Sequence, residues 1–96
     1  MKPSDALAAH RAELRQLASH YGLLHTRIFG SVLTGTDDEQ SDLDLLVDPA
    51  ETTSLLTLAA FKREAEQLLG VPVSVLTPNA LSPKFRSQVL HQAEPL

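Results

Sequence analysis

The sequence predicts a mixed α/β fold. Apolar residues at helical spacing alternate along the chain with short β-branched runs, and a glycine or proline marks most changes of period. Leu7, His10, Leu14, Leu17 and Tyr21 form the first stripe. It predicts an amphipathic helix over residues 5–20, with Ser4 as N-cap and Gly22 closing it. The run LLHTRIFG follows as a strand ending on Gly30, and SVLTG opens a short helix directly after that glycine. DDEQS reads as a polar loop and DLDLLVD as a second strand closed by Pro49. Leu55, Leu58, Phe61, Ala65, Leu68 and Leu69 make the next helical stripe, stopped by Gly70. VPVSVLT is a third strand with Pro72 at its start, and a last short helix begins near Pro83, where proline suits a first turn. The expected order is α-β-α-β-α-β-α.

Composition narrows the function. Ninety-six residues are expected to form one domain, 1–96, with one modest core. No apolar run approaches the roughly 20 residues a membrane span needs. The N-terminus MKPSDALAAHRAEL turns amphipathic and charged at once, unlike a signal peptide. There is no cysteine, which excludes a disulfide framework and thiolate metal sites and fits a cytoplasmic protein. A net charge of −4 argues against direct nucleic-acid binding, which needs a basic face for the phosphates. No His-x-x-x-His or similar spacing supports zinc. His10 is expected to pack by its ring edge on the first helix and His25 to sit at a strand edge.

The stretch GSVLTGTDDEQSDLD carries the chemistry. Side chains alternate along a strand, so Asp42 and Asp44 share one face while Leu43, Leu45 and Val47 take the other. The two carboxylates then project together, roughly 7 Å apart along the strand. Anions held that close repel unless a cation sits between them. Mg²⁺ takes hard oxygen ligands and commonly uses one or two carboxylates plus substrate phosphates. Gly30 leaves the preceding strand where a ligand needs close backbone approach, and Ser31 begins a helix whose free N–H groups suit a phosphate. Gly35 lets that short helix turn away, and Ser41 adds a hydroxyl just before the first aspartate. Singly, a Gly-Ser pair or an Asp-x-Asp is a weak signal. In this order, on successive strands, they point together to a nucleotide and its metal.

GSVLTGTDDEQSDLDLLVD resembles the signature of the minimal nucleotidyltransferases of the DNA polymerase β superfamily, Gly-Ser…Gly…Ser-Asp-x-Asp. The likeness covers nearly the whole chain, including the tail TPNALSPKFRSQVLHQAEPL. The resemblance implies an α+β nucleotidyltransferase fold, a small mixed sheet flanked by helices. It implies ATP as substrate and two Mg²⁺ ions. Gly30 and Ser31 would hold the β,γ-phosphates, with Ser41 beside them. Asp42 and Asp44 would be the catalytic, metal-binding pair. The reaction would be an in-line attack on the α-phosphorus with loss of pyrophosphate. The resemblance also implies a partner: such chains act as antitoxins of HEPN toxins, some by adding AMP to a tyrosine of the toxin, and can form a hetero-oligomer with it.

Two departures qualify that expectation. Catalysing members carry a third carboxylate in a stretch like Val-Asp-Leu-Val-Thr; here the stretch is VSVLT and the position is Ser74. A serine hydroxyl carries no charge and is a poor base near neutral pH. The family's Gly-Ser-x-Ala-Arg-Gly loop is also replaced, with Val32, Leu33 and Thr34 here and no Lys or Arg between Gly30 and Asp48. Asp37, Asp38 and Glu39 are expected to form a solvated loop. Lys84 and Arg86 either solvate the tail or contact a partner or phosphate. Arg15…His20 and Arg86…His91 both match Arg-x4-His, a spacing known from all-helical HEPN ribonucleases. Three strand signals contradict an all-helical fold, so both matches read as chance. Two functional classes stay open: an ATP- and Mg²⁺-dependent protein adenylyltransferase, and a binding module that neutralises its partner by occlusion.

Overall fold

The computed structural model describes residues 1–23 and 25–96. Its elements run α1 (Pro3–His20), β1 (Arg27–Phe29), α2 (Ser31–Thr34), β2 (Leu43–Leu46), α3 (Leu55–Leu69) and β3 (Val73–Leu76). A 3-10 turn (Pro78–Ala80), α4 (Pro83–Gln92) and β4 (Glu94–Pro95) complete the order. The strands form one sheet in the order β3-β2-β1-β4. β1 is antiparallel to both β2 and β4, whereas β2 and β3 are parallel. That parallel pair needs a crossover, and α3 provides it.

The core lies between one face of the sheet and the pair α1 and α3. Ile28, Leu43, Leu45, Val47 and Val73 meet Leu14, Ala18, Phe61 and Ala65 there, all buried. Alternation along β2 therefore does what its pattern predicts, with Asp44 turned to the other face. Leu46, on that second face, is nonetheless fully buried. At the far end of α1, the Tyr21 hydroxyl donates to Glu64 on α3 and its ring meets Phe61 edge-on. α3 starts at Ser54, whose side chain accepts the Thr57 N–H at 3.1 Å, and ends at the left-handed Gly70.

Several expectations need correction. Ser4 is not the N-cap of α1: Lys2 takes that position without a side-chain cap, and Pro3 starts the helix, needing no N–H partner there. The Ser4 N–H instead donates to Asp37 Oδ2 at 2.9 Å, an acceptor supplied by tertiary structure. The first strand narrows to Arg27–Phe29, with His25 exposed in the turn before it; Leu24 lies outside the described residues. Leu55 does not join the α3 stripe but is 85% exposed, because it occupies the helix's first turn, ahead of the face that meets the core. His10 stands at a break in α1 and its ring Nδ1 lies 3.0 Å from Glu13 Oε1. β4 is an unforeseen strand, two residues long, pairing along the outer edge of β1. Among the described residues, no helix is long and apolar enough to cross a membrane.

Candidate active site

The sheet register assembles the site. Phe29 on β1 pairs with Asp44 on β2, and Asp44 pairs with Ser74 on β3. Paired residues of neighbouring strands point to the same face, with strands about 4.8 Å apart. Ser74 therefore stands directly beside Asp44, half-buried, on the side of the sheet away from the core. Asp42 lies one residue before β2 rather than within it, and is exposed.

Gly30 closes β1 and caps α2 with φ 77° and ψ −150°. A Cβ placed there would lie 3.0 Å from Asp44 Cγ and 3.2 Å from Asp44 Cβ, and would run into the carboxylate oxygen. The glycine is thus demanded twice, by its backbone angles and by the carboxylate resting against it. Sequence reasoning reserved this space for phosphate; its nearest occupant is Asp44. Ser31 is the first residue of α2, and its carbonyl accepts the Thr36 N–H at 3.0 Å as the chain turns away past Gly35.

Ser41 builds the loop that delivers Asp42. Its hydroxyl accepts the Asp38 N–H at 3.0 Å and donates to Asp38 Oδ1 at 3.2 Å, while the same carboxylate oxygen accepts the Gln40 N–H at 2.8 Å. The loop expected to be merely solvated is therefore tied at both ends. Asp38 locks its turn, and Asp37 fastens it to the first turn of α1. The Ser4 N–H holds the Asp37 carboxyl below its ordinary range.

Electrostatics at the pair run the other way. Burial, and then the neighbouring Asp42 carboxylate, push the Asp44 carboxyl above its ordinary range. A bound cation would favour the ionised carboxyl against both effects. The donor set consists of hard carboxylate oxygens and so suits Mg²⁺. Among the described residues, no group of three or more His, Cys, Asp or Glu is placed to hold a metal ion. Two arginines of the chain are held by other groups. Arg27, on the same sheet face, donates through Nη2 to Asp48 Oδ1 at 2.7 Å. Arg86 donates to the carbonyls of Pro78 at 2.8 Å and Leu81 at 3.1 Å, so it straps α4 to the preceding turn. The Lys84 ammonium lies 5.8 Å from the Phe85 ring centroid.

Comparison with known proteins agrees with this fold. The model of the nucleotidyltransferase domain family matches residues 7–94. The chain belongs to that family. It is a minimal nucleotidyltransferase of the polymerase β-like superfamily, as the resemblance of the Gly-Ser and Asp-x-Asp motifs implies. The protein adenylyltransferase MntA of Thermococcus cleftensis is 35% identical over 86 residues, covering 90% of this chain and 84% of the relative. A protein of Methanocaldococcus jannaschii, provisionally named a protein adenylyltransferase, is 40% identical over 73 residues, covering 76% and 78%. A solved structure provisionally named a minimal nucleotidyltransferase superposes with a TM-score of 0.86 at 42% identity, covering 97% of this chain and 95% of that one. A toxin–antitoxin structure with AMP-PNP shares the fold, with a TM-score of 0.74 at 22% identity over 88% of this chain and 69% of that one.

Sequence reasoning missed the contacts of two residues in the loop before this candidate site. Asp37 gives no local signal, because its partner Ser4 is 33 positions away. Asp38 could have been found, since an Asp three residues before a Ser is a common way to close a polar turn.

Proposed function

We propose that this chain transfers AMP from ATP, with Mg²⁺, to a HEPN-class toxin and so serves as its antitoxin. The observation that carries the reading is the register Phe29–Asp44–Ser74, with Gly30 closed down on the Asp44 carboxylate. The similarity to a protein adenylyltransferase named MntA supports AMP as the transferred group. In this reading Asp42 and Asp44 hold two Mg²⁺ ions. Gly30 and Ser31 receive the β,γ-phosphates, and Ser41 keeps the loop before Asp42 in place. When bound, the ions offset the charge of the triphosphate and of the entering and leaving oxygens. The acceptor hydroxyl forms a bond to the α-phosphorus as the bond to pyrophosphate breaks. Its proton passes to water, because Ser74 is a poor base.

A second reading is favoured by Ser74 itself. A neutral hydroxyl beside Asp44 leaves the carboxylate set incomplete, so the chain would neutralise the toxin by covering it. Intact-mass spectrometry of the cognate toxin, incubated with this chain, ATP and Mg²⁺, separates the two. The expected result is slow AMP addition by wild type and none by Asp42→Asn with Asp44→Asn. Ser74→Asp should be faster, since a base or metal ligand contributes about 10² to 10⁴. The double variant should also lose the ATP- and Mg²⁺-dependent rise in Tm. Neutralisation of the toxin without AMP addition by any form would establish occlusion instead.

A further inference from the structure

A cavity of about 270 Å³ opens between α2 and α4, lined by Phe29, Gly30 and Leu33 on one side and Phe85, Gln88 and Gln92 on the other. We propose that it seats the adenine ring of the nucleotide and that Gln88 and Gln92 read the base edge. The proposal rests on the nucleotide reading above and adds what selects the base.

Position comes first. Gly30 lines this cavity and also lies against the Asp44 carboxylate. A triphosphate lodged at Gly30 and Ser31 can therefore reach the cavity with its own nucleoside. The cavities at Arg15 and Leu96, at Glu13 and Glu64, and at His25 and Asp48 border none of Gly30, Ser31 or Asp44.

Size and chemistry agree. Pockets for whole drug-sized ligands run about 300–1,000 Å³, so a cavity of about 270 Å³ has room for a ring system. The lining holds no Asp, Glu, Lys, Arg or His. It therefore suits an uncharged ring better than a charged group. Phe29 and Phe85 supply aromatic faces, and Phe85 is 53% exposed, apolar area that a stacked base would cover. Phe85, Gln88, Val89 and Gln92 all line it from α4, at the i, i+3, i+4, i+7 spacing of one helix face. A glutamine amide carries a donor and an acceptor side by side, which matches the acceptor N7 and donor N6 of adenine. Guanine presents two acceptors at that edge, leaving the amide oxygen opposed by a lone pair. The reading face is also held in place. Arg86 ties α4 to the Pro78 and Leu81 carbonyls, and the Ser82 side chain accepts the Lys84 N–H.

The test is calorimetric titration of the full chain, with Mg²⁺, against ATP, GTP and inorganic triphosphate. Wild type should bind ATP at least about tenfold tighter than GTP, the discrimination one good amide–base pair supplies. Gln88→Leu with Gln92→Leu should erase that preference, and Phe85→Ala should weaken ATP and GTP alike. Neither should change the affinity for inorganic triphosphate. All three side chains are exposed, so folding is not at stake, and unchanged thermal melts would confirm it. Equal affinity of wild type for ATP and GTP, or a preference surviving the double glutamine change, would overturn the base site while leaving the phosphate site standing. Failure of wild type to bind any of the three would overturn both.

Discussion

Replacing Gly30 by alanine tests the contact on which the site depends. Its φ of 77° and ψ of −150° fall in a region essentially reserved for glycine. Another residue there costs about 1–3 kcal/mol from the backbone alone. The added Cβ would also drive into the Asp44 carboxylate, with Asp44 Cγ only 3.0 Å away. The carboxylate must swing aside, so the same change that destabilises the chain should abolish Mg²⁺-dependent ATP binding. At about 4–8 °C per kcal/mol for a domain of this size, Tm should fall on the order of 10–20 °C. Gly35→Ala is the control: φ is 73° and ψ 22°, with nothing within 4 Å of the new Cβ. It carries only a left-handed backbone cost of about 1–2 kcal/mol and should leave binding intact. Urea unfolding of Gly30→Ala, Asp44→Ala and the double variant completes the cycle. Contacting residues couple by about 0.5–3 kcal/mol, so the double variant should be more stable than the sum of the single effects predicts. Additivity within about 0.5 kcal/mol would show that Gly30 and Asp44 do not meet.

Two further outcomes follow from the carboxylates. Asp44 has its folded-state carboxyl raised above the ordinary value of 3.8, so the folded chain holds the proton more tightly than the unfolded one. Stability should fall as pH rises from about that value through the folded-state value. Asp44→Asn should remove this fall and leave the ligand-free chain more stable at pH 7; urea midpoints across the acid range check both, and an opposite slope would refute the assignment. Asp37 behaves in reverse, its carboxyl being lowered from the same ordinary value, so its contribution is present above 3.8 and is lost as pH falls below it. Asp37→Asn should speed hydrogen exchange at the Ser4 amide, measured by NMR, and weaken Mg²⁺-dependent ATP binding by loosening the loop before Asp42; unchanged exchange would show that the Ser4 contact is dispensable.

The motif and most of the fold were legible because their signals are local. Alternation has a period of two wherever a strand forms, so Asp44 opposite Leu43 and Leu45 could be read from seven consecutive letters. The α3 stripe from Leu58 to Leu69, its stop at Gly70 and the start of α4 at Pro83 were equally local. Ser74 was located by matching a family pattern, and the strand register then set it beside Asp44.

Tertiary structure decided the rest, because those contacts join residues whose spacing carries no period. Asp37 finds the Ser4 N–H across 33 residues, which turns a loop that reads as solvated into an anchored one. β4 is only two residues long, too short to show alternation, and exists because β1 leaves an edge for it. Leu46 reads as a residue of the polar face, yet it is buried, since what covers the second face of a sheet is not written in the strand. The sequence alone determined which residues share a face. Only the folded chain determined that Gly30 lies against Asp44, because that proximity comes from pairing two strands whose residues are 14 positions apart by number, Gly30 to Asp44, and not from any pattern within either.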